Sequence, residues 1–192
     1  MHNIERHHQI HRAFAAINLG MVFAGLAFRD TPIDLNVILL AVLFIMIRAK
    51  FWFDDEAYLE DVGSGKLPGG LSFSFGMLLA VLSWIAWCFA GFYIKDVETS
   101  ALILVVAFAL STFWIVASMV MRGAYAEQIP WLFFNCLYGL GFTLIYWRGR
   151  LWNPFHNQQS AFTTSVLVLL LVLFLIDLGV TRILEQKRRP ST

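Results

Sequence analysis

The sequence contains few charged residues, and this shortage indicates the class of protein. Charged residues make up 14% of the 192 residues and hydrophobic ones 59%, whereas soluble domains carry about 25% and about 45–50%. A soluble fold of this composition would expose more apolar surface than it has polar residues to cover. The mean hydropathy of +0.69 therefore indicates an integral membrane protein, which has the lipid bilayer as its solvent.

Other shortages exclude further classes. The net charge is +1 and no basic patch alternates with aromatic residues, so nothing indicates binding to nucleic acid. The only two cysteines, Cys88 and Cys136, fall at different depths of separate apolar segments, and we expect no disulfide between them. Four histidines, together with Arg6 and Arg12, precede any apolar run. Because this pattern does not resemble a signal peptide, we expect the first helix to be retained.

Familiar catalytic signatures are also missing. The sequence has no His-Glu-x-x-His, Gly-x-Ser-x-Gly or Cys-x-x-Cys motif and no phosphate-binding glycine loop. The single histidine outside the N-terminal segment, His156, falls in a polar loop, so the intramembrane histidine pair of a b-haem is absent. Ser72 and Ser74 likewise lack a histidine base. An enzyme is therefore the less favoured class, and no cofactor is predicted from these motifs.

Six apolar segments are each long enough to cross a hydrocarbon core about 30 Å thick, which needs roughly 20 helical residues. Polar residues, glycines and prolines separate these segments, as is typical of turns between helices. The sequence therefore predicts an all-α fold, a six-helix transmembrane bundle that forms a single domain. The predicted helices cover about 13–28, 35–53, 71–94, 100–121, 129–147 and 162–183.

Two patterns indicate how these helices pack. They form three hairpins that begin about 60 residues apart, which suggests a threefold internal repeat of the kind found in transporters. Three hairpins of ordinary length would give the same spacing without any repeat. In the first helix, Ala16, Gly20 and Ala24 recur every four residues, a pattern that lets helix backbones approach closely in lipid.

The distribution of lysine and arginine predicts the orientation. Six spans place both termini on one side, which holds all but four of the 14 Lys and Arg residues. Because cytoplasmic flanks are enriched in these residues, both termini are predicted to be cytoplasmic, in a bacterial-type inner (plasma) membrane. The four on the other side are Arg29, Lys95, Arg148 and Arg150.

Polar residues recur at one depth of the predicted bundle, in its cytoplasmic third. A helix rises about 1.5 Å per residue, so the distance from a predicted helix end gives the depth of each residue. All six predicted helices contribute a polar group within roughly two turns of the same plane. The members of this polar layer are Asn18, Arg48, Ser72, Ser74, Ser118, Asn135 and Asp177.

Asp177 is the most informative member, because an unbroken apolar run over 166–176 precedes it. A charge at the centre of a membrane helix costs about 2.5–3.5 kcal/mol, so such residues usually face the bundle interior and pair. Arg48 has the opposite charge and a matching depth, and is the predicted partner. The pair belongs to a site for an ion, a proton or a small polar solute, or it statically links two helices. In a third interpretation, Arg48 and Lys50 extend to lipid headgroups.

Two further groups suggest metal binding. His7 and His11 lie four residues apart, which on a helix puts both imidazoles on one face, as a divalent metal requires. The alternative is a solvated interfacial helix. An acidic cluster follows the second predicted helix. One interpretation is that it attracts or binds cations, and the other is that it forms a solvated extension of the helix. Its members are Asp54, Asp55, Glu56, Glu60 and Asp61.

Three classes of function remain open on the sequence. The favoured one is a small channel or transporter that uses the polar layer around Asp177 and Arg48, because ionisable residues within the membrane usually carry function. The second is a non-catalytic membrane subunit, and the third is a metal-dependent membrane protein. Besides the lipid bilayer, the candidate partners are a second copy of the chain and a partner membrane subunit.

Overall fold

In the computed structural model, the described residues are 2–28, 30–63, 71–122, 128–151 and 156–188, and they form six helices. Each helix includes a segment long and apolar enough to cross a membrane, which confirms the predicted all-α six-helix membrane bundle. The helices are α1 (His2–Phe28), α2 (Leu35–Gly63), α3 (Leu71–Phe92), α4 (Val97–Arg122), α5 (Gln128–Leu151) and α6 (His156–Arg188).

The six helices close into a ring. Neighbours follow the order α1, α3, α4, α5, α6 and α2, and α2 in turn contacts α1. Each predicted hairpin is a pair of neighbouring helices, but a threefold repeat would bring α2 against α3 and α6 against α1. The second and third hairpins meet through α4 and α5 as a repeat requires, but the first hairpin contacts its neighbours through α1 to α3 and α2 to α6, and so sits in reverse order. This arrangement does not fit a threefold rotation.

Two aspartates fix where helices begin. At the start of α2, Asp34 accepts a hydrogen bond of 2.9 Å from the backbone nitrogen of Val37. Before α4, Asp96 accepts hydrogen bonds from the backbone nitrogen and the hydroxyl of Thr99, at 3.1 and 2.7 Å. Such caps satisfy N–H groups that the first helical turn leaves unpaired. The Asp96 cap explains why α4 begins about one turn before its predicted start.

Helices α1 and α3 cross at a pair of glycines. A Cβ atom on Gly25 would lie only 2.5 Å from the carbonyl oxygen of Gly91. The small-residue pattern predicted this kind of contact but on a different face of α1. Gly20 is exposed and a Cβ there would meet no atom within 4 Å, so the predicted contact at Gly20 is wrong.

Helices α1 and α2 both extend beyond the predicted apolar segments. α1 begins at His2 rather than near residue 13, and α2 continues to Gly63 rather than ending near residue 53. The two extensions are antiparallel and contact each other through charged side chains. They lie at the end of the bundle from which α1 starts and at which α6 ends, which we name the terminal face.

The middle of the bundle contains a layer of buried aromatic rings. The ring centre of Phe108 lies 5.5 Å from that of Trp87 and 5.4 Å from that of Tyr138. Phe142 stacks on Phe108 at 5.7 Å, and Phe44 meets Trp87 edge-on at 4.8 Å. None of these five side chains is more than 1% exposed. We name this set the aromatic layer.

Candidate functional site

A cavity of about 70 Å³ lies inside the bundle, with residues from α2 to α6 in its wall. Along α2 its wall runs from Arg48 to Leu59, a rise of roughly 16 Å. Phe44 lies one turn beyond Arg48, so the cavity occupies the region between the aromatic layer and the terminal face. Its charged and polar wall consists of Arg48, Lys50, Asp54, Asp55, Ser83, Ser111, Asn135 and Asp177. Its aromatic wall consists of Phe51, Trp84, Trp87, Trp114, Trp131 and Phe134.

Four charged residues reach the cavity from α2. Helical geometry places Lys50 and Asp54 one turn apart on one side, and Arg48 and Asp55 two turns apart on another. The Nζ atom of Lys50 lies 2.7 Å from Oδ2 of Asp54, and Nη1 of Arg48 lies 3.8 Å from Oδ2 of Asp55. One helix therefore presents two separate charge pairs to the same cavity.

Asp177 of α6 is buried, with 1% of its surface exposed. Its Oδ2 atom accepts a hydrogen bond of 3.1 Å from the hydroxyl of Tyr138, and its Oδ1 atom lies 3.4 Å from Nζ of Lys50. The predicted partner of Asp177, Arg48, is therefore wrong, and the cation next to Asp177 is Lys50. Both cations stand at the right depth, and only Lys50 points toward α6.

Arg48 is 2% exposed and Lys50 is 6% exposed. The interpretation in which both side chains extend to lipid headgroups is therefore wrong. The guanidinium of Arg48 has one carboxylate near it, Asp55, at a distance longer than a hydrogen bond. Its Nε and Nη2 atoms have no hydrogen-bond partner in the described part of the chain. A buried charge with so few partners is costly, because its desolvation is only partly offset.

The extensions of α1 and α2 meet in a histidine–carboxylate cluster at the terminal face. The carboxylate of Glu56 lies 2.7 Å from Nδ1 of His8 and 3.1 Å from Nε of Arg12. His11 is fully buried, and its Nε2 atom lies 3.1 Å from Oδ2 of Asp55 without forming an aligned hydrogen bond. Asp55 and Glu56 therefore bind α1, and the interpretation of the acidic cluster as a solvated extension is wrong for both.

The predicted metal site at His7 and His11 gains no support from this cluster. The side chain of His7 lies outside the described residues. Within the described ranges, no set of three histidine, cysteine, aspartate or glutamate side chains is arranged to hold a metal ion. His11 instead faces two carboxylates of α2, Asp55 at 3.1 Å and Glu56 at 3.5 Å. Metal binding at these histidines stays a prediction.

Two members of the predicted polar layer lie away from the cavity. Asn18 is buried between α1 and α3, where its Oδ1 atom accepts a hydrogen bond of 2.8 Å from Sγ of Cys88. Ser118 accepts one of 2.9 Å from Gln128 and so joins the ends of α4 and α5. Both residues make contacts between helices, and neither is among the residues that line the cavity. The side chains of Ser72, Ser74, Glu60 and Asp61 lie outside the described residues.

Asn135 of α5, by contrast, lines the cavity as the depth argument predicted. It is 5% exposed, and its Oδ1 atom has no hydrogen-bond partner among the described residues. On the other side of the cavity, Ser83 donates to the backbone carbonyl of Ala107 at 3.2 Å and lies 3.0 Å from the hydroxyl of Ser111. The serines are therefore satisfied within the protein, whereas the amide oxygen of Asn135 is buried without a partner in the described part of the chain.

Sequence reasoning missed several residues of the site. Lys50 stands two positions from Arg48, and its partner Asp54 is one helical turn further on. The spacing of Lys50 and Asp54 signalled an ion pair, but not its contact with Asp177. Tyr138 follows Asn135 by one turn, which was a signal that both face the same interior. The tryptophans of the wall gave no signal, since aromatic residues are common throughout the chain.

Comparison of the chain with protein-family models, curated proteins and solved structures finds no match. The fold and the cavity therefore define the class of this protein on their own. It is a multi-pass integral membrane protein, a ring of six helices around buried charged side chains. The chemistry that these side chains offer is binding, because cationic donors and carboxylate or amide acceptors line the same cavity.

Proposed function

We propose that this protein is a small membrane transporter or channel for an ion, a proton or a small polar solute. The observation that supports it most is the cavity itself. Five ionisable side chains line it, namely Arg48, Lys50, Asp54, Asp55 and Asp177. Each of these charges is costly to place within a membrane, and a bundle without a polar ligand would be more stable with apolar residues in their place.

The position of the aromatic layer also supports transport. The cavity reaches toward the terminal face, where Leu59 of α2 and Trp131 of α5 lie in its wall. Beyond its other end, Phe44, Phe108 and Phe142 fill the bundle and are no more than 1% exposed. A cavity that is closed toward one face is what one state of an alternating-access cycle requires. Transport then needs a second state in which these rings separate.

A flux assay tests this proposal. Purified protein is reconstituted into liposomes, and the flux of ions, protons and small polar solutes is followed across a range of pH. The Asp177→Asn variant keeps the shape of the side chain and removes its charge. We expect flux in wild-type liposomes and a loss of at least about tenfold in the variant, the size of one charged hydrogen bond.

The matched control is Asp30→Asn. Asp30 is exposed in the loop before α2, on the face opposite the terminal face, and is not among the residues that line the cavity. We expect this variant to transport as the wild type does. Folded protein that gives no flux above empty liposomes for any solute contradicts the proposal.

A second candidate function is a non-catalytic membrane subunit. The contact between Lys50 and its two carboxylates favours it, because Asp54 and Asp177 satisfy the ammonium group without any ligand and tie α2 to α6. In this case the partner is a membrane protein or a second copy of the chain. Co-purification of a stoichiometric partner from native membranes, together with absent flux, supports this alternative.

The orientation belongs to the same proposal. The excess of lysine and arginine at the terminal face supports cytoplasmic termini in a bacterial-type inner membrane. The cavity would then face the cytoplasm in the state described. A reporter fused to the C-terminus, active only in the cytoplasm, tests this arrangement. Activity only of an exported reporter contradicts it.

A further inference from the structure

Arg48, a residue of the cavity wall, has hydrogen-bond donors that lack a partner among the described residues. Arg48 is 2% exposed, lines the cavity, and leaves its Nε and Nη2 atoms without a partner in the described residues. These two N–H groups point along one edge of the planar guanidinium. This edge is the one that binds both oxygens of a carboxylate at once. Arg48 therefore offers a site for a planar, two-oxygen anionic group.

Two wall residues on other helices carry acceptor atoms without an aligned hydrogen bond in the described part of the chain. The Oδ1 atom of Asn135 has no partner among the described residues. The Oδ1 atom of Asp177 lies 3.4 Å from Nζ of Lys50 without an aligned hydrogen bond. Carbonyl and carboxylate oxygens of this kind accept hydrogen bonds from an ammonium group. Residues of α5 and α6 therefore offer a site for a cation.

The charge balance of the cavity distinguishes between ligands. Its wall carries two cations, Arg48 and Lys50, and three carboxylates, Asp54, Asp55 and Asp177, a formal net charge of −1. A simple anion would match Arg48 but increase the excess negative charge. A simple cation would offset that excess but leave the guanidinium edge unpaired. A ligand with both charges matches the donors and the acceptors together.

We infer that the cavity binds a small zwitterion that carries a carboxylate and an ammonium group, such as a short amino acid. The inference rests on the proposed transport function and names its substrate class. The carboxylate binds the free edge of Arg48, and the ammonium group binds Asn135 and Asp177. Trp84 and Trp114 in the wall favour a ligand with an apolar body. The volume of about 70 Å³ equals roughly five to seven water-sized positions, which suits a molecule as small as alanine.

The first test is a ligand series on the wild-type protein. Binding of alanine, propionate, ethylammonium and lactamide is measured by isothermal titration calorimetry in detergent micelles. These probes are similar in size and differ in charge. Alanine carries both charges, propionate only the negative charge, ethylammonium only the positive charge, and lactamide no charge. Each charge-assisted contact is expected to change affinity about 10- to 100-fold. Alanine therefore binds at least about tenfold more tightly than any of the other three.

Two conservative variants test the two ends of the ligand separately. Arg48→Lys keeps the charge but loses the two-pronged edge, and is expected to weaken alanine and propionate but not ethylammonium. Asp177→Asn is expected to weaken alanine and ethylammonium but not propionate. The matched control is Arg148→Lys, because Arg148 lies near the opposite face with its guanidinium 5.3 Å from the ring of Phe162. Affinities for all four probes should stay unchanged in this control.

The outcomes separate this inference from the proposed function. Propionate or ethylammonium binding as tightly as alanine overturns the inference, and so does absent binding of alanine by folded protein. Flux of another solute would then leave transport intact. Alanine binding with the expected variant pattern but without flux overturns transport and leaves the site. If a variant does not fold, the wild-type series alone decides.

Discussion

The hydroxyl of Tyr138 donates a hydrogen bond of 3.1 Å to Asp177, which joins α5 to α6 at the cavity. The substitution Tyr138→Phe removes this bond and leaves the ring in place. We expect the free energy of unfolding in micelles to fall by about 1–2 kcal/mol, since the lost acceptor is a buried carboxylate. The loss should shrink in the background of Asp177→Asn. An equal loss in both backgrounds contradicts a direct bond.

A second prediction concerns the cation shared by two carboxylates. Lys50→Met leaves Asp54 and Asp177 next to each other without the ammonium group between them. We expect a loss of stability of about 3–5 kcal/mol, the usual result of orphaning buried charges. Adding Asp177→Leu should restore part of it, as seen in the yield of folded protein. If Arg48→Met restores the yield of folded protein of the Asp177→Leu variant and Lys50→Met does not, then Arg48 is the partner of Asp177.

A third prediction concerns the crossing of α1 and α3. Gly25→Ala puts a methyl group 2.5 Å from the backbone carbonyl of Gly91, and neither backbone can move without separating the helices. We expect a loss of about 1–3 kcal/mol in thermal or denaturant unfolding. The control is Gly20→Ala, where the added methyl meets no atom within 4 Å. Its better helix propensity should leave stability unchanged or raise it by up to about 1 kcal/mol.

A fourth prediction concerns the start of α1. Glu56 of α2 binds both His8 and Arg12, so its removal breaks two contacts that hold the first turns of α1 against α2. In Glu56→Ala we expect faster hydrogen–deuterium exchange over residues 2–12, because this extension has little apolar surface to hold it. Exchange in α5 should not change. Unaltered exchange at the start of α1 shows that other contacts hold it.

Much of the fold follows from composition and hydropathy. Six apolar segments of membrane-spanning length become six helices, because in lipid every backbone group must be satisfied within the helix itself. Helices α1 and α2 were predicted too short for a related reason. Their polar extensions carry no apolar signal, and they become helical through contacts between His8 of α1 and Glu56 of α2.

The candidate site could be predicted only in part. Sequence gives the depth of a residue along its helix, and this placed Arg48, Asn135 and Asp177 near one another. It does not give the rotation of one helix against the next. Residues of similar depth can therefore face different neighbours. Asn18, for example, faces α3. Because this rotation was unknown, Arg48 was predicted as the partner of Asp177 instead of Lys50.

The double contact of Lys50 has a consequence for biosynthesis. Helix α2 is made early, and Asp177 is made only when the last helix is synthesised. Until then Lys50 would enter the bilayer as an isolated cation, which the insertion machinery tolerates poorly. Asp54, one turn away in the same helix, is already present to neutralise it. The α2 hairpin can therefore be inserted on its own, and the arrival of α6 completes the charge cluster and closes the ring.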